Sequence, residues 1–326
     1  MTDHPSLGDI VRAQHRLRDH LRPTPLEDAA GLGAGTFLKL ENANLTHSFK
    51  IRGALNAMLS LDEKALARGI IAASSGNHAM AVAYAARLCG ASAQILMPVA
   101  TPKKKVGGVR RYGAGAEAVL FGDNFDQAEA EALRRAQGGL TWLSPYNDKL
   151  VIAGAGTIGV EIVSELPRVE RVLVPVGGGG LISGVATAVK ELNPAVEVIG
   201  VSSESTSAMF NVFHDSDRPQ VWNTLAEALS GDIEPGSMTV PICRRYLDDV
   251  VLVAEDQIAS AMRFLVDVQG WVVEGGGAVG VAALLQGAIP RDGKITAVVV
   301  SGGNVDGETL RRVLQPCSDP CGTVPP

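Results

Sequence analysis

The sequence predicts an α/β protein made of two parallel-type sheets sandwiched between helices, with a smaller domain inserted into a larger one. Short β-branched runs alternate with Ala-rich runs of ten or more residues, which is typical of parallel strands joined by helical crossovers. The length of 326 residues suits one large α/β domain or two. Residues 53–146 carry a β-α-β-α-β pattern of their own, which predicts the insertion.

The predicted strands are short runs rich in Val and Ile, and the predicted helices are longer runs with an apolar face. The strands are expected at residues 69–73, 93–97, 118–121, 171–176, 197–201 and 295–300. The helices are expected at residues 78–89, 125–136, 156–165, 181–192, 255–265, 278–286 and 307–314. Turn signals near Gly53 and at Ser144-Pro145-Tyr146-Asn147 place the larger domain at 1–52 and 147–326 and the smaller at 53–146.

Composition and charge exclude several classes of protein. A net charge of -6 and a pI near 5.6 argue against nucleic-acid binding through phosphate contacts. The basic cluster of Lys103, Lys104 and Lys105 with Arg110 and Arg111 is interpreted as the solvated face of a helix rather than a binding patch. The apolar runs fall short of the ~18 residues that span a bilayer, so no membrane partner is expected.

Cysteine usage and the N-terminus favour a cytoplasmic protein. The first residues show no signal-peptide pattern, and four cysteines are few for this length. They form no metal-ligand cluster with histidines, and no metal site is expected. Cys317 and Cys321 lie in a Pro-rich tail that is interpreted as a frayed end.

Three segments share one layout, in which an apolar strand is followed by a turn of small residues and then by a helix. They begin at Ile70, Arg171 and Lys294. Ligands of open parallel sheets bind beyond the carboxyl ends of the strands. The three turns are therefore candidates for one shared pocket, provided that their strands are close in space.

The run Gly177-Gly178-Gly179-Gly180 is the sharpest signal among these turns. Glycines let the backbone approach a ligand, and the helix that follows offers unpaired N–H groups and a partial positive charge. A tight turn would also use glycine, but four in a row exceed what a turn needs. This favours a phosphate site. The run matches neither a Walker A loop nor GxGxxG.

The other turns are ambiguous when each is taken alone. Ser74-Ser75-Gly76-Asn77-His78 is equally compatible with a helix cap and with a carboxylate site built from hydroxyl, amide and helix N–H donors. Ser301-Gly302-Gly303-Asn304 ends a buried strand and favours a turn. Glu274-Gly275-Gly276-Gly277 begins another predicted helix and is equally ambiguous when taken alone.

Eight motifs in order resemble the fold type II pyridoxal-phosphate enzymes, the tryptophan synthase β-like superfamily, in its serine/threonine dehydratase and serine racemase branch. They are SFKIRGA at 48–54, SSGNHA at 74–79, the MP…K segment at 97–105, YGA at 112–114, AGAGTIGVEI at 153–162, VPVGGGGLISG at 174–184, VEGGGA at 273–278 and SGGNVD at 301–306. They span nearly the whole chain. The resemblance implies pyridoxal 5'-phosphate as cofactor, an amino acid as substrate, a small domain that closes over that substrate, and a homodimer or dimer of dimers.

The same resemblance implies roles for individual residues. Lys50 would bind the cofactor's aldehyde as an imine. The other cofactor contacts would be Phe49 and Asn77 at the ring and its 3-hydroxyl, Gly177 to Gly180 at the phosphate, and Ser301 at the pyridine nitrogen. The substrate contacts would be Ser74, Ser75, Gly76, Asn77 and His78 at the carboxylate, with Ser75 acting on the face opposite Lys50.

The implied reaction is an ammonia-lyase reaction on a β-hydroxy amino acid, such as threonine or serine. Phe49 and Ile51 supply apolar surroundings that lower a lysine pKa, so that the freed Lys50 amine serves as base for the Cα proton. Neutral Ser301 would leave the ring largely unprotonated and so favour loss of the β-substituent. The alternatives are an amino-acid racemase, a β-replacement synthase, and a non-catalytic protein that binds a phosphate ligand. His47 stands where many relatives have glycine, and we expect it to alter the substrate pocket.

Overall fold

The protein was analysed as a computed structural model that describes residues 4–315, and Cys317 and Cys321 lie outside the described residues. The strands are β1 (Leu26–Asp28), β2 (Thr36–Leu40), β3 (Ile70–Ala73), β4 (Ala93–Met97), β5 (Ala116–Leu120), β6 (Thr141–Trp142), β7 (Arg171–Pro175), β8 (Glu197–Ser203), β9 (Asp249–Val253) and β10 (Thr296–Val300). The helices are α1 (Leu7–Leu17), α2 (Lys50–Met58), α3 (Glu63–Arg68), α4 (Asn77–Cys89), α5 (Lys103–Tyr112), α6 (Phe125–Gln137), α7 (Lys149–Glu165), α8 (Gly180–Leu192), α9 (Ala208–His214), α10 (Thr239–Tyr246), α11 (Glu255–Asp267), α12 (Gly275–Leu285) and α13 (Gly307–Leu314).

These elements form two sheets. The six-stranded sheet has the order β1-β2-β10-β7-β8-β9 and is parallel except for β1, which pairs antiparallel with β2. The four-stranded sheet has the order β5-β4-β3-β6 and is parallel throughout. The predicted α/β class with parallel sheets is therefore confirmed.

The strands of the smaller sheet all lie between residues 70 and 142, and those of the larger sheet lie on either side of that stretch. The domain boundaries at 52/53 and 146/147 stay predictions. The basic cluster lies on α5, where the side chains of Lys103, Lys104 and Lys105 are exposed, as the sequence predicts.

All the predicted strands and helices are present, and most of their ends agree within two residues. The main correction concerns α7, which begins at Lys149 rather than at residue 156. Its glycines permit close helix crossings, because a Cβ at Gly154 would lie 2.5 Å from the carbonyl oxygen of Arg52 in α2. The strands β1, β2, β6 and β9 were not predicted from the sequence.

A buried ion cluster fixes α2 against the larger sheet. Arg52, with 2% exposure, donates to Glu161 on α7 at 2.5 and 2.8 Å and to Glu41 at 2.8 Å through both Nε and a terminal nitrogen. Lys39 of β2 approaches Glu161 at 2.7 Å. Burial alone would raise the pKa of Glu41, but the Arg52 guanidinium lowers it below the ordinary value. Two cations and two anions thus balance where water is excluded.

Replacement of Arg52 by Met is expected to destabilise the fold by about 3–5 kcal/mol, because it leaves two buried carboxylates without their main partner. The measurement is the free energy of unfolding in urea. Arg134→Met is the matched control, since Arg134 pairs with Glu131 at the surface and its loss should leave stability close to that of the parent. Equal losses of unfolding free energy in the two variants would show that the buried Arg52 cluster contributes no more to stability than a surface ion pair.

Candidate active site

The loop before α2 places Lys50 at the end of strand β10. The Phe49 N–H donates to the carbonyl of Ser301 at 3.0 Å, and Ser48 forms a β-bridge with Gly302. His47 has a φ of 55°, in the left-handed region that favours glycine. This conformation accounts physically for the glycine that the resemblance implies at this position in many relatives.

The Lys50 amine is partly buried and has an altered pKa. Its Nζ donates to the carbonyl of Pro145 at 2.7 Å and lies 5.0 Å from the centroid of the Phe49 ring. Burial lowers the pKa of Lys50 to about 8, although the nearby Glu274 carboxylate opposes the shift. Roughly a tenth of this amine is unprotonated at pH 7, against about one part in three thousand at the ordinary lysine value. The lysine is therefore suited to act as a nucleophile or base.

The glycine run connects β7 to α8 with its backbone amides unpaired. Among the described residues, no protein acceptor takes a hydrogen bond from the N–H groups of Gly177, Gly178, Gly179 or Gly180. Gly179 has a φ of 91°, and a Cβ at Gly178 would lie 2.9 Å from the ring of Tyr146. The chain therefore requires glycine here, and the loop offers several donors at a helix N-terminus to an anion.

A second group of unpaired amides opens α4. Gly76 N–H donates to Ser74 Oγ at 3.2 Å, which folds the turn. Within residues 4–315, the N–H groups of Ser75, Asn77 and His78 have no protein acceptor. This arrangement can bind a carboxylate, since helix N-termini favour anions.

His78 is buried, and its ring faces the segment that connects β6 of the smaller sheet to α7. Nε2 lies 3.0 Å from the carbonyl oxygen of Leu143. A carbonyl can only accept, so Nε2 carries the proton and Nδ1 is a bare acceptor. Burial, with a contribution from the Lys50 charge, lowers the pKa of His78 to about 3, so the ring is neutral. A substrate carboxylate would therefore meet the backbone N–H of His78 rather than its ring.

The structure brings most of the predicted residues into one region. Lys50 and Phe49 lie at Ser301, and the Pro145–Tyr146 turn connects Lys50 to the glycine loop. Asn77 Nδ2 donates to Glu274 at 2.6 Å, and this bond connects α4 to the start of α12. The individual roles of the predicted residues stay predictions.

The residues of this region that were not assigned a role from the sequence include Pro145, Tyr146 and Glu274. The first two lie in the turn that was used only as a boundary signal. Glu274 lies in one of the matching motifs, VEGGGA, and that motif was the available signal.

Residues 4–315 contain neither a metal-binding cluster nor a membrane-spanning helix. No group of three or more His, Cys, Asp or Glu side chains is arranged to hold a metal ion. Over the same residues, no helix is both long and apolar enough to cross a membrane.

Comparison with known proteins agrees with this geometry. Residues 17–302 match the model of the family described as pyridoxal-phosphate dependent enzyme. An L-threonine ammonia-lyase from Thermotoga maritima is 43% identical over 95% of this chain and 78% of its own length. An L-threonine dehydratase from Staphylococcus aureus is 41% identical over 95% of this chain and 92% of its own.

Solved structures show the same likeness in three dimensions. A maize serine racemase superposes with a TM-score of 0.87 at 31% identity, covering 94% of this chain and 96% of its own. The processed form of threonine deaminase isoform 2 from Solanum lycopersicum gives a TM-score of 0.86 at 35% identity, covering 94% and 91%.

The chain belongs to the pyridoxal-phosphate dependent enzymes, and its fold is the predicted fold type II. Within that family it is a lyase of the serine/threonine dehydratase branch, as the sequence motifs indicate.

The residues present fit pyridoxal phosphate. Lys50 supplies an amine of lowered pKa for the aldehyde, and the unpaired amides of the glycine loop suit the phosphate. Among residues 4–315, the buried Ser48 hydroxyl has no protein partner, which leaves one further polar group for a ligand. Ser301 is buried at the end of β10, next to the Lys50 loop.

The lowered Lys50 pKa predicts the pH dependence of cofactor capture by the apoprotein. The neutral amine is the reactive form, so the capture rate should rise about tenfold per pH unit up to about pH 8 and then level off. Stopped-flow absorbance after addition of pyridoxal phosphate measures this rate. Lys50→Ala should abolish the reaction, and a rate that climbs steadily to pH 10 would contradict the lowered pKa.

Proposed function

We propose that this enzyme is an ammonia-lyase that converts L-threonine or L-serine to a 2-keto acid and ammonia by α,β-elimination. The observation that carries the proposal is the Lys50 amine beside two groups of unpaired helix N-terminal amides. The group at Gly177 to Gly180 suits the cofactor phosphate. The group at Ser75 to His78 suits the carboxylate of an amino acid. The names of the relatives support a hydroxy amino acid as the substrate.

The residues of the chain have separate roles in the proposed reaction. When bound, pyridoxal phosphate withdraws electrons from the substrate's α-carbon and makes its proton acidic. Lys50 Nζ, unprotonated in part at neutral pH, accepts that proton. The amides at the start of α4 hold the carboxylate and so orient the Cα–H bond towards the lysine. The Phe49 ring and the buried start of α2 exclude water from the amine.

Ser301 determines the character of the reaction through its neutral hydroxyl. A carboxylate at this position would keep the cofactor ring protonated, whereas a serine does not. A ring held in this way would draw less charge from the substrate's α-carbon, which would favour departure of the β-hydroxyl over reprotonation at that carbon. The serine thereby favours elimination.

A second candidate is an amino-acid racemase, which the likeness to maize serine racemase supports. In that function Ser75 Oγ would deliver a proton to the face opposite Lys50. Both functions use the same site, and they differ in what happens to the substrate after the α-proton has left.

The decisive measurement is release of 2-keto acid from a panel of L- and D-serine, L- and D-threonine, 3-hydroxyaspartate and 3-phenylserine. We expect release from L-threonine or L-serine, and loss of at least about a thousandfold of activity in Lys50→Ala, because the amine is both the covalent anchor and the base. Chiral analysis of the unreacted serine tests the alternative. Accumulation of D-serine without keto acid would overturn the lyase proposal in favour of racemisation.

Location and assembly complete the proposal. We place the enzyme in the cytoplasm, since Cys89 and Cys243 are free thiols and amino-acid substrates are available there. A homodimer or dimer of dimers remains our expectation from the family. Light scattering of the purified holoenzyme measures the assembly.

A further inference from the structure

A chain of polar contacts runs across the site through two asparagines. Asn304 Nδ2 donates to the carbonyl of Thr46 at 2.9 Å and to Asn77 Oδ1 at 2.8 Å. Asn77 Nδ2 in turn donates to Glu274 Oε1 at 2.6 Å. The chain therefore joins the Lys50 loop, the end of β10, the start of α4 and the start of α12.

The direction of this chain follows from its first member. The carbonyl of Thr46 can only accept, so Asn304 must present its NH₂ group to it. The same NH₂ group donates to Asn77 Oδ1 at 2.8 Å, and it also lies 3.5 Å from the carbonyl oxygen of His47. Asn77 must consequently turn its own NH₂ towards Glu274, where a carboxylate oxygen accepts it. Neither amide can flip without breaking two hydrogen bonds.

Glu274 is itself held in place. Its backbone N–H donates to the carbonyl of Gly302 at 3.1 Å, and the backbone N–H of Asn304 donates to its carboxylate. A Cβ on Gly302 would collide with Glu274 Oε1, so only glycine allows the carboxylate to lie this close to the end of β10. The acceptor for Asn77 is thus fixed by backbone rather than by a flexible contact.

One N–H donor in this series of polar contacts has no acceptor among the described residues. An NH₂ group has two N–H bonds, and only one of those on Asn77 has a protein acceptor among the described residues. Asn77 is partly exposed at the N-terminus of α4, beside the unpaired amides of that helix. The remaining N–H is available to a ligand.

We propose that Glu274 and Asn304 are positioning residues that lock the Asn77 amide with Nδ2 as the donor to the ring hydroxyl of the bound cofactor. The inference rests on the proposed function and on the place beside that hydroxyl that the family resemblance implies for Asn77. The role of Glu274 is to act through Asn77, and it does not need to touch the cofactor or the substrate.

The charge around Glu274 agrees with this role. Burial raises its pKa to about 7, and the hydrogen bonds from Asn77 and Asn304 oppose the shift. Lys50 of α2 and Lys105 of α5 are the cations that face it, and Glu227 is the facing anion. A carboxylate in such a site accepts a hydrogen bond more strongly than a neutral group would.

The test compares holoenzyme variants by two readouts besides activity. One is the dissociation constant of pyridoxal phosphate. The other is the ratio of the visible to the near-ultraviolet band of the lysine-bound cofactor, which reports whether the ring hydroxyl is ionised. Glu274→Met and Asn304→Leu should each weaken cofactor binding about five- to tenfold, the effect of roughly one hydrogen bond. Both should lower the visible band relative to the near-ultraviolet band, because a donor to the ionised oxygen is misplaced.

Two further variants separate positioning from general damage to the fold. Glu274→Gln keeps an acceptor oxygen for Asn77 and should stay within about threefold of the parent in cofactor affinity. Asn211→Leu removes an amide that donates to the Arg218 carbonyl, and it should change neither readout. If Glu274→Met fails to fold, Asn304→Leu and Glu274→Gln still test the proposal.

A double-mutant cycle with Asn77→Ala decides whether Glu274 acts through Asn77. On the Asn77→Ala background, Glu274→Met should cause no further change in cofactor affinity or in the band ratio. A full additional effect on that background would overturn the inference, because Glu274 would then act directly.

Failure of the proposed function has a different signature. If the Lys50→Ala variant keeps the visible band of the parent enzyme, the assignment of Lys50 as the lysine that binds the cofactor is overturned. This holds whatever the Glu274 variants show. A Lys50-dependent band with additive Glu274 and Asn77 effects would overturn only the positioning role.

Discussion

The placement of Lys50 depends on one buried guanidinium, that of Arg52. Two residues after Lys50, it binds Glu161 on α7 and Glu41 at the end of β2, and it is almost without contact to water. An arginine can satisfy two carboxylates at once because its donors form a rigid planar fork. The start of α2 is thereby fixed to both the larger sheet and its longest described helix. A shift of α2 would break these charged hydrogen bonds in a buried region, where water is not available to replace them.

The site itself follows from that constraint. With α2 fixed, the preceding loop has to run along the end of β10, where Phe49 pairs with Ser301. The loop reaches this path only by taking His47 into the left-handed region, which costs a non-glycine residue about 1 kcal/mol. The carbonyl of Thr46 then faces Asn304, and the orientation of the asparagine chain follows from it.

The sequence predicted the strands whose runs are apolar and the loops whose glycines exceed what a turn needs. It missed β2 because Lys39 interrupts its apolar run, and only the fold shows that this lysine is buried against Glu161. It began α7 late because Gly154 lowers helix propensity, whereas close packing requires glycine: a Cβ at Gly154 would meet α2, and one at Gly156 or Gly159 would meet α8. The contact between Asn77 and Glu274 spans 197 residues, and no local pattern carries it. The glycine loop was predictable, because its chemistry is that of the backbone.

The backbone chemistry of the glycine loop is related to the distribution of charged groups in the molecule. The buried cations Arg52 and Lys39 are fully committed to carboxylates of the scaffold, so they cannot serve a ligand. In the proposed function, the anionic groups of cofactor and substrate are left to the amides at the starts of α8 and α4. Amides carry no net charge, so they would bind a phosphate and a carboxylate without adding a cation that would lower the pKa of Lys50 further. Because backbone amides are held by the loop and the helix, the accuracy of binding depends on backbone geometry, which the ion cluster and the close glycine packing maintain.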